Sequence, residues 1–350
     1  MLYDVFSSFL KQTEPEFAHQ LAINLLKKKI IPFDLFAYKG HASLNVKVFN
    51  CNFENPVGLA AGFDKNAEVY NSFFKLGFGF SEVGTITPEP QDGNPKPRVF
   101  RLNEDKAIIN RLGFPNEGME KIYERISKNP NSKILGINIG PNKANATKID
   151  DYIKCLKKFY EKADYITINI SSPNTPNLRS MHDVGKISEL IKALHEERKN
   201  YNKQKPILFK LSPNIEDEDI DNLSKVFLDL SVEGLVLSNT SVTGKEALAN
   251  DQKVEEGGLS GSPIYSKSNM IISKFFKRLE KKIPIIGVGG ICDGETAYEK
   301  IKSGASLLQL YTALVFKGPY VASSINEDLV SLLKQDGFAN ISEAVGINAK

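Results

Sequence analysis

The sequence predicts an α/β protein, a (β/α)8 TIM barrel carrying a small N-terminal two-helix extension. Three observations carry that expectation. From about residue 45, short apolar runs alternate with helical stretches, the pattern of a parallel sheet. The main runs number eight, which favours closure into a barrel over an open doubly wound sheet. Polar residues and glycines gather just after the runs, the end at which barrels build their sites.

The elements follow in chain order. Residues 2–12 and 15–30 read as two short helices. In the second, Thr13 is placed to cap, Pro15 suits the first turn and Glu16 completes a capping box. Phe17, Ala18, Leu21, Ala22, Leu25 and Leu26 give this helix one wide apolar stripe, and Lys27, Lys28 and Lys29 suit its C-terminal dipole. Pattern alone leaves two roles open for this pair: a hairpin packed on the main body, or an interfacial membrane element. Residues 46–49 and 51–53 read as a small hairpin. Strands are expected at 56–61, 79–85, 134–139, 165–170, 206–211, 234–238, 284–288 and 306–310. Helices are expected near 66–76, 115–128, 149–162, 185–200, 216–230, 268–281, 293–303 and after 317. Long insertions at 86–110 and 241–267 both follow strand C-terminal ends.

Composition excludes several classes. Of 350 residues, 41% are hydrophobic and 25% charged, an ordinary globular balance. A net charge of +3 is too small to argue for nucleic acid. Cys51, Cys155 and Cys292 are far apart with no CxxC, so they read as reduced thiols. His19, His41, His182 and His195 form no HxH or HExxH pair, and no metal site is expected. No apolar run is long enough to span a membrane, and the N-terminus lacks the basic start and apolar core of a cleavable signal.

The functional signal is positional. After the first strand come Ala60-Ala61-Gly62-Phe63-Asp64-Lys65, and after the second Gly84-Thr85. The first insertion ends in Asn110-Arg111-Leu112-Gly113-Phe114. Later strands end in Asn138-Ile139-Gly140, Lys210-Leu211-Ser212 and Ser238-Asn239-Thr240. The fourth strand runs into Asn169-Ile170-Ser171-Ser172-Pro173-Asn174-Thr175-Pro176-Asn177, where the prolines force a turn displaying amides and hydroxyls. Asparagine offers a donor and an acceptor together, so this loop suits a small polar ring carrying C=O and N–H groups. Gly287-Val288-Gly289-Gly290 and Tyr311-Thr312 occupy the usual phosphate corner of such barrels, with a helix start near Asp293. Gly257-Gly258-Leu259-Ser260-Gly261 adds a second glycine-rich loop. Any one motif is weak; their shared phase on eight strands points to one ligand site holding a phosphate-bearing cofactor. FMN is the natural candidate, because no GxGxxG opens an N-terminal βαβ unit.

Together these motifs resemble the dihydroorotate dehydrogenases, specifically the class 2, quinone-dependent type, over essentially the whole chain. The resemblance implies FMN-dependent oxidation of (S)-dihydroorotate to orotate with a quinone acceptor, in de novo pyrimidine synthesis. It implies that Ser172 is the catalytic base, where class 1 enzymes carry cysteine, with Thr175, Phe114 and a water supporting proton release. Serine is a poor base at neutral pH and needs such a path. Substrate binding falls, by resemblance, to Lys65, Asn110, Asn169, Asn174, Asn239 and Thr240, with Arg111, Leu112, Gly113 and Phe114 alongside. FMN contacts fall to Ala61, Gly62, Phe63, Asp64, Lys65, Thr85, Asn138, Asn169, Lys210, Ser238, Gly261, Gly290, Tyr311 and Thr312. Pro141 stands where the resemblance leads one to expect lysine, and Ser238 and Thr312 exchange one hydroxyl residue for another.

The resemblance also gives the N-terminal pair a role. Residues 1–40 become a membrane and quinone element, and 41–350 the FMN-binding catalytic barrel. A peripheral, monomeric enzyme on the cytoplasmic face of a bacterial inner membrane is expected, with one FMN per chain and no nucleic-acid partner.

Overall fold

The structure, a computed structural model, describes residues 13–28, 30–175 and 178–349. The expected helix at 2–12 lies outside the described residues, as do Lys29, Pro176 and Asn177. Helix α1 (Pro15–Lys27) precedes a hairpin of β1 (Val46–Val48) and β2 (Cys51–Phe53). Next come β3 (Val57–Leu59), α2 (Tyr70–Phe74), β4 (Phe80–Ile86), β5 (Val99–Leu102) and β6 (Ala107–Asn110). They are followed by α3 (Met119–Lys128), β7 (Ile134–Ile139), α4 (Ile149–Phe159), β8 (Tyr165–Asn169) and α5 (Val184–Arg198). Then β9 (Ile207–Leu211), α6 (Asp217–Asp229), β10 (Gly234–Leu237), β11 (Gly258–Gly261) and α7 (Tyr265–Arg278) follow. The chain ends with β12 (Ile285–Val288), α8 (Gly294–Lys302), β13 (Leu307–Leu310), α9 (Thr312–Lys317) and α10 (Val321–Asp336).

Strands β3, β4, β7, β8, β9, β10, β12 and β13 form a closed parallel barrel, sealed where Leu308 pairs with Val57. All eight coincide with expected runs. They were readable because a parallel strand covered on both faces is an uninterrupted apolar stretch. β8 and β9 are buried at every position.

The barrel interior also buries polar side chains. Glu82, in the middle of β4, is fully buried. Its carboxylate accepts from Asn138 Nδ2 (2.8 Å), Gln309 Nε2 (2.7 Å), Tyr165 OH (3.0 Å) and Thr167 Oγ1 (3.1 Å). Donors from three other strands thus converge on one acid.

The two insertions carry structure of their own. β5, β6 and β11 pair into a three-stranded antiparallel sheet with its own core of Phe100, Leu102, Ala107, Ile109, Leu248, Leu259 and Ile264. The glycine-rich stretch at 257–261 is therefore largely strand β11. Its glycines serve close packing: a Cβ on Gly258 would lie 1.9 Å from Thr240 Oγ1.

α1 also departs in detail. Its N-cap is Glu14, whose carboxylate accepts from the amides of Glu16 and Phe17, and not Thr13. Glu16 closes no capping box; it turns inward to Arg98, which donates through Nε (3.1 Å) and Nη2 (2.9 Å). The helix stops at Lys27, earlier than expected, with Lys28 as its C-cap. Ala18, Ile23 and Leu26 are buried against the body, while Phe17 remains 57% exposed.

Replacing Glu82 with leucine strips four buried donors of their acceptor. A buried donor left without an acceptor costs about 1–3 kcal/mol. Urea unfolding of Glu82→Leu should show a destabilisation of that order, and a loss within experimental error would remove Glu82 from this structural role.

Candidate active site

The C-terminal ends of the barrel strands, the small sheet and the 110–115 segment line one open cavity. Each wall follows from local structure. Gly62, at φ +100°, turns the chain after β3 so that Lys65 comes back to the cavity. β6 delivers Asn110, and Leu112, Gly113 and Phe114 cross the opening. The turn after β8 presents Ser172 and Asn174, and β9 presents Lys210. Ser238, Asn239 and Thr240 follow β10; Gly290, Tyr311 and Thr312 close the far end with Gly261. Ala61, Thr85 and Asn169 complete the expected set.

Four expected residues stand elsewhere. Phe63 packs edge-on against Phe73 (5.1 Å) and Tyr311 (5.3 Å), behind the wall. Asp64 is buried, and its carboxylate accepts the amides of Glu68 and Val69 at 2.7 Å each, so it holds the loop. Asn138 lies one layer below the cavity, between Glu82 and Thr85. Arg111 points outward to Glu255 (2.7 Å) and over the Phe100 ring (4.5 Å). Pro141 does not line the cavity either; its neighbour Asn142 donates its amide to Asp151 (3.0 Å).

The amides are held in fixed orientations. Thr85 Oγ1 donates to Asn138 Oδ1 (2.7 Å), and Asn169 Nδ2 donates to Thr85 Oγ1 (2.9 Å). Asn169 Oδ1 accepts from Ser171 Oγ (3.2 Å) and Asn239 Nδ2 (3.4 Å). Across the mouth, Asn174 Nδ2 donates to Asn110 Oδ1 (3.3 Å). Ser172 is nearly buried, and its Oγ accepts the amide of Asn174 (3.2 Å). That bond occupies a lone pair and leaves the hydroxyl proton free. Thr175 is buried next to this turn.

Charge is uneven. Burial lowers Lys65 to about 8, with Glu16 opposing the shift. Burial also lowers Lys210, opposed by Glu82. Among the described residues neither ammonium makes an ion pair or a hydrogen bond. Two cations in one recess without an anion call for an anionic or electron-rich ligand. The glycine corner adds donors: the amides of Gly289, Gly290 and Ile291 have no acceptor among the described residues. The expected helix start is not free, because Asp293 caps α8 through Thr296 N at 2.9 Å.

Some lining residues escaped the sequence reading. Val99, Ile108 and Ile264 supply an apolar wall from the insertions, and Ser260 bonds Thr312 (2.9 Å). The one local signal for that wall was the short apolar run Ala107-Ile108-Ile109. Glu82 also had a signal, as a charged residue inside the apolar run Phe80-Ser81-Glu82-Val83.

A closed parallel barrel whose strand ends bring amides, hydroxyls and unpaired lysines to one cavity defines a β/α-barrel enzyme. Residues 43–333 match the family model described as dihydroorotate dehydrogenase. A relative from Bartonella tribocorum is 43% identical over 341 residues, covering 96% of this chain and 94% of its own. One from Idiomarina loihiensis is 43% identical over 331 residues, covering 93% and 99%. Both are named dihydroorotate dehydrogenase (quinone). The solved structure of DHODH from Eimeria tenella in complex with ferulenol superposes with a TM-score of 0.92 at 37% identity, covering 96% of each chain. The chain belongs to the dihydroorotate dehydrogenase family. It is an oxidoreductase that oxidises dihydroorotate, with flavin-dependent chemistry.

The Lys65 ammonium is charged below about pH 8 and neutral above it. A bound carboxylate favours the charged form, so affinity is highest at the acid side of this step. Binding of orotate, followed by calorimetry, should weaken as pH rises through about 8, and the Lys65→Met variant should bind weakly without that step. A wild-type affinity that stays level from pH 7 to 10 contradicts this role.

Proposed function

We propose that the enzyme converts (S)-dihydroorotate to orotate with FMN as its flavin and a membrane quinone as final acceptor. The observation that carries the reading is the meeting of Ser172, the Asn110–Asn174 pair and two unpaired lysines in one cavity. Dihydroorotate is a cyclic ureide bearing a carboxylate. Asn110, Asn169, Asn174, Asn239 and Thr240 offer the alternating donors and acceptors such a ring needs. Lys65 supplies the cation for the carboxylate.

The residues present fit FMN. Lys210 offers a buried positive charge for the electron-rich edge of a flavin, and Thr85 and Ser238 line the cavity with it. The free amides at 289–291 suit a phosphate, with Gly261 and Thr312 across from them. When bound, FMN supplies the hydride acceptor and the route by which electrons leave for quinone. Ser172 Oγ takes the proton from C5 of the substrate as its own hydroxyl proton passes on, and the C5–H electron pair enters the new C5=C6 bond. Asn174 N–H, on Ser172 Oγ, holds the hydroxyl in place and favours its more negative form. Thr175 and Phe114 flank the path by which that proton leaves.

Quinone use is supported by the name that the relatives carry. The division into an element at 1–40 and a catalytic body at 41–350 is part of the same proposal. Beyond α1's buried face, Phe17, Ile30 (63%) and Leu35 (66%) are exposed near Lys27 and Lys28. Apolar groups flanked by basic ones suit a lipid interface. No helix among the described residues is long and apolar enough to cross a membrane. We read the protein as a peripheral enzyme of the cytoplasmic face of a bacterial inner membrane.

Ser172→Ala should retain flavin and lose roughly 10²–10⁴ in the rate of flavin bleaching by dihydroorotate. Stopped-flow absorbance near 450 nm measures this, and bleaching at the wild-type rate would exclude the base. Recovery of the absorbance should need a quinone; recovery with fumarate or NAD alone would reassign the acceptor.

Phe17→Glu with Leu35→Glu should reduce flotation with anionic vesicles while leaving dihydroorotate-driven bleaching intact. Undiminished flotation would place the lipid contact elsewhere.

A further inference from the structure

Lys300 on α8 is 0% exposed and takes no part in the site described above. Its ammonium donates to Ser268 Oγ (2.9 Å) and Asn269 Oδ1 (2.5 Å), both on α7. Among the described residues no carboxylate pairs with it. On α8, Glu299 pairs with Lys302, and the N-cap Asp293 lies 3.8 Å from Lys317. On α10, Asp328 accepts the amide of Gly294 (3.3 Å), and Asp336 accepts from Tyr298 OH (2.8 Å). β12 and β13 bring no titratable group, and Glu343 in the C-terminal segment is exposed. On α7, the Tyr265 ring stands 5.7 Å from the ammonium.

A buried cation without a counter-ion is unfavourable, and here burial brings the group down to about 7. The position is nonetheless built for it. Gly287 leaves room for the stem: a Cβ there would lie 2.8 Å from Lys300 Cγ and Cδ. The network then leads to the glycine corner. Ser268 Oγ, which accepts from Lys300, donates to Val288 O (2.7 Å). A Cβ on Gly289, at φ +114°, would lie 3.3 Å from Ser268 Oγ, and one on Gly290 would lie 2.3 Å from Tyr265 Cα. The free amides of 289–291 belong to this same segment.

We propose that Lys300 is the buried counter-charge of the FMN phosphate, acting from behind the 288–291 turn through Ser268. It is a positioning residue and does not touch the cofactor. This inference rests on the assignment of FMN to the cavity. The phosphate supplies the anion that the protein lacks, and the ammonium strengthens a site otherwise made of neutral amides. Riboflavin, which has the same ring without the phosphate, gains nothing from it.

The test compares FMN and riboflavin on the full-length protein. Cofactor released on dilution of the holoenzyme, followed by flavin fluorescence, gives the affinity for FMN; the riboflavin-exchanged protein gives the other value. Lys300→Met should weaken FMN by about tenfold or more and leave riboflavin within twofold. Equal weakening of both, or of neither, overturns the proposal. The wild-type protein provides an arm that does not depend on the variant folding. Above pH 7 the phosphate is already a dianion. Free Lys300 loses its proton as pH rises past about 7, whereas beside the phosphate it keeps it. The FMN-over-riboflavin preference should therefore fall from pH 7 to 9, by up to about tenfold per unit. A level preference refutes the counter-charge. Failure of the wild-type protein to hold either flavin defeats the FMN assignment itself, and the inference with it.

Discussion

The carboxylate of Glu82 sets the orientation of the amides at the floor of the site. As a carboxylate it accepts only, so Asn138 must turn its NH2 toward it. That leaves Asn138 Oδ1 facing Thr85, whose hydroxyl must donate. Thr85 Oγ1 then has only acceptor capacity left, and Asn169 must offer its NH2. The Asn169 oxygen is thereby turned toward Ser171 and Asn239 at the mouth. One acid in the barrel centre thus fixes the orientation of Asn138 and, three residues away, of the cavity-lining Asn169. An amide free to flip would present donor and acceptor indiscriminately, and a cyclic ureide could bind in more than one register.

The remaining features complete that frame with charge and shape. The hydrogen-bonded chain carries no free cation, and the cavity receives its positive charge separately from Lys65 and Lys210. Neither has a partner among the described residues, and burial lowers both. Their desolvation stores a preference for anionic or electron-rich ligands. The antiparallel sheet of β5, β6 and β11 does the opposite work: it lays Ile108 and Val99 over one side and excludes water there. Asn94, in the first insertion, donates to the carbonyls of Arg111 (2.9 Å) and Asn174 (3.2 Å), tying that insertion to the turn that bears Ser172.

What was legible in the sequence follows from the range of the interactions involved. Barrel strands such as β8 declare themselves because burial on both faces makes each an apolar run. The residues just beyond them, Lys210 or Ser238-Asn239-Thr240, inherit their position at the mouth from strand phase alone. The small sheet was not legible as a unit. β11 pairs with β6 across some 150 residues, and its glycines fit gaps such as the one beside Thr240, which no local pattern encodes. Arg111 misled for a related reason: its neighbours Asn110 and Leu112 reach the cavity, and the intervening side chain turns out to Glu255. The cap of α1 passed from Thr13 to Glu14 because Glu16 has a stronger partner in Arg98, invisible from the local sequence.

That ion pair bears on how separate the N-terminal element is. Glu16 and Arg98 are both largely shielded, and Arg98 also donates to the carbonyls of Asp92 (2.6 Å) and Asn94 (2.8 Å). His19 stacks edge-on against Phe63 (4.9 Å) and lies 6.4 Å from the cavity-lining Tyr311. Burial and the charge of Lys65 hold this imidazole down to about 3, so it stays neutral against the wall. Glu16 in turn favours the charged form of Lys65. Helix α1 therefore contributes a carboxylate to the electrostatics of the cavity-lining Lys65. An element merely tethered to the barrel would leave Lys65 unaffected. This one is part of the site's dielectric boundary, and its packing on the barrel bears directly on the charge of Lys65.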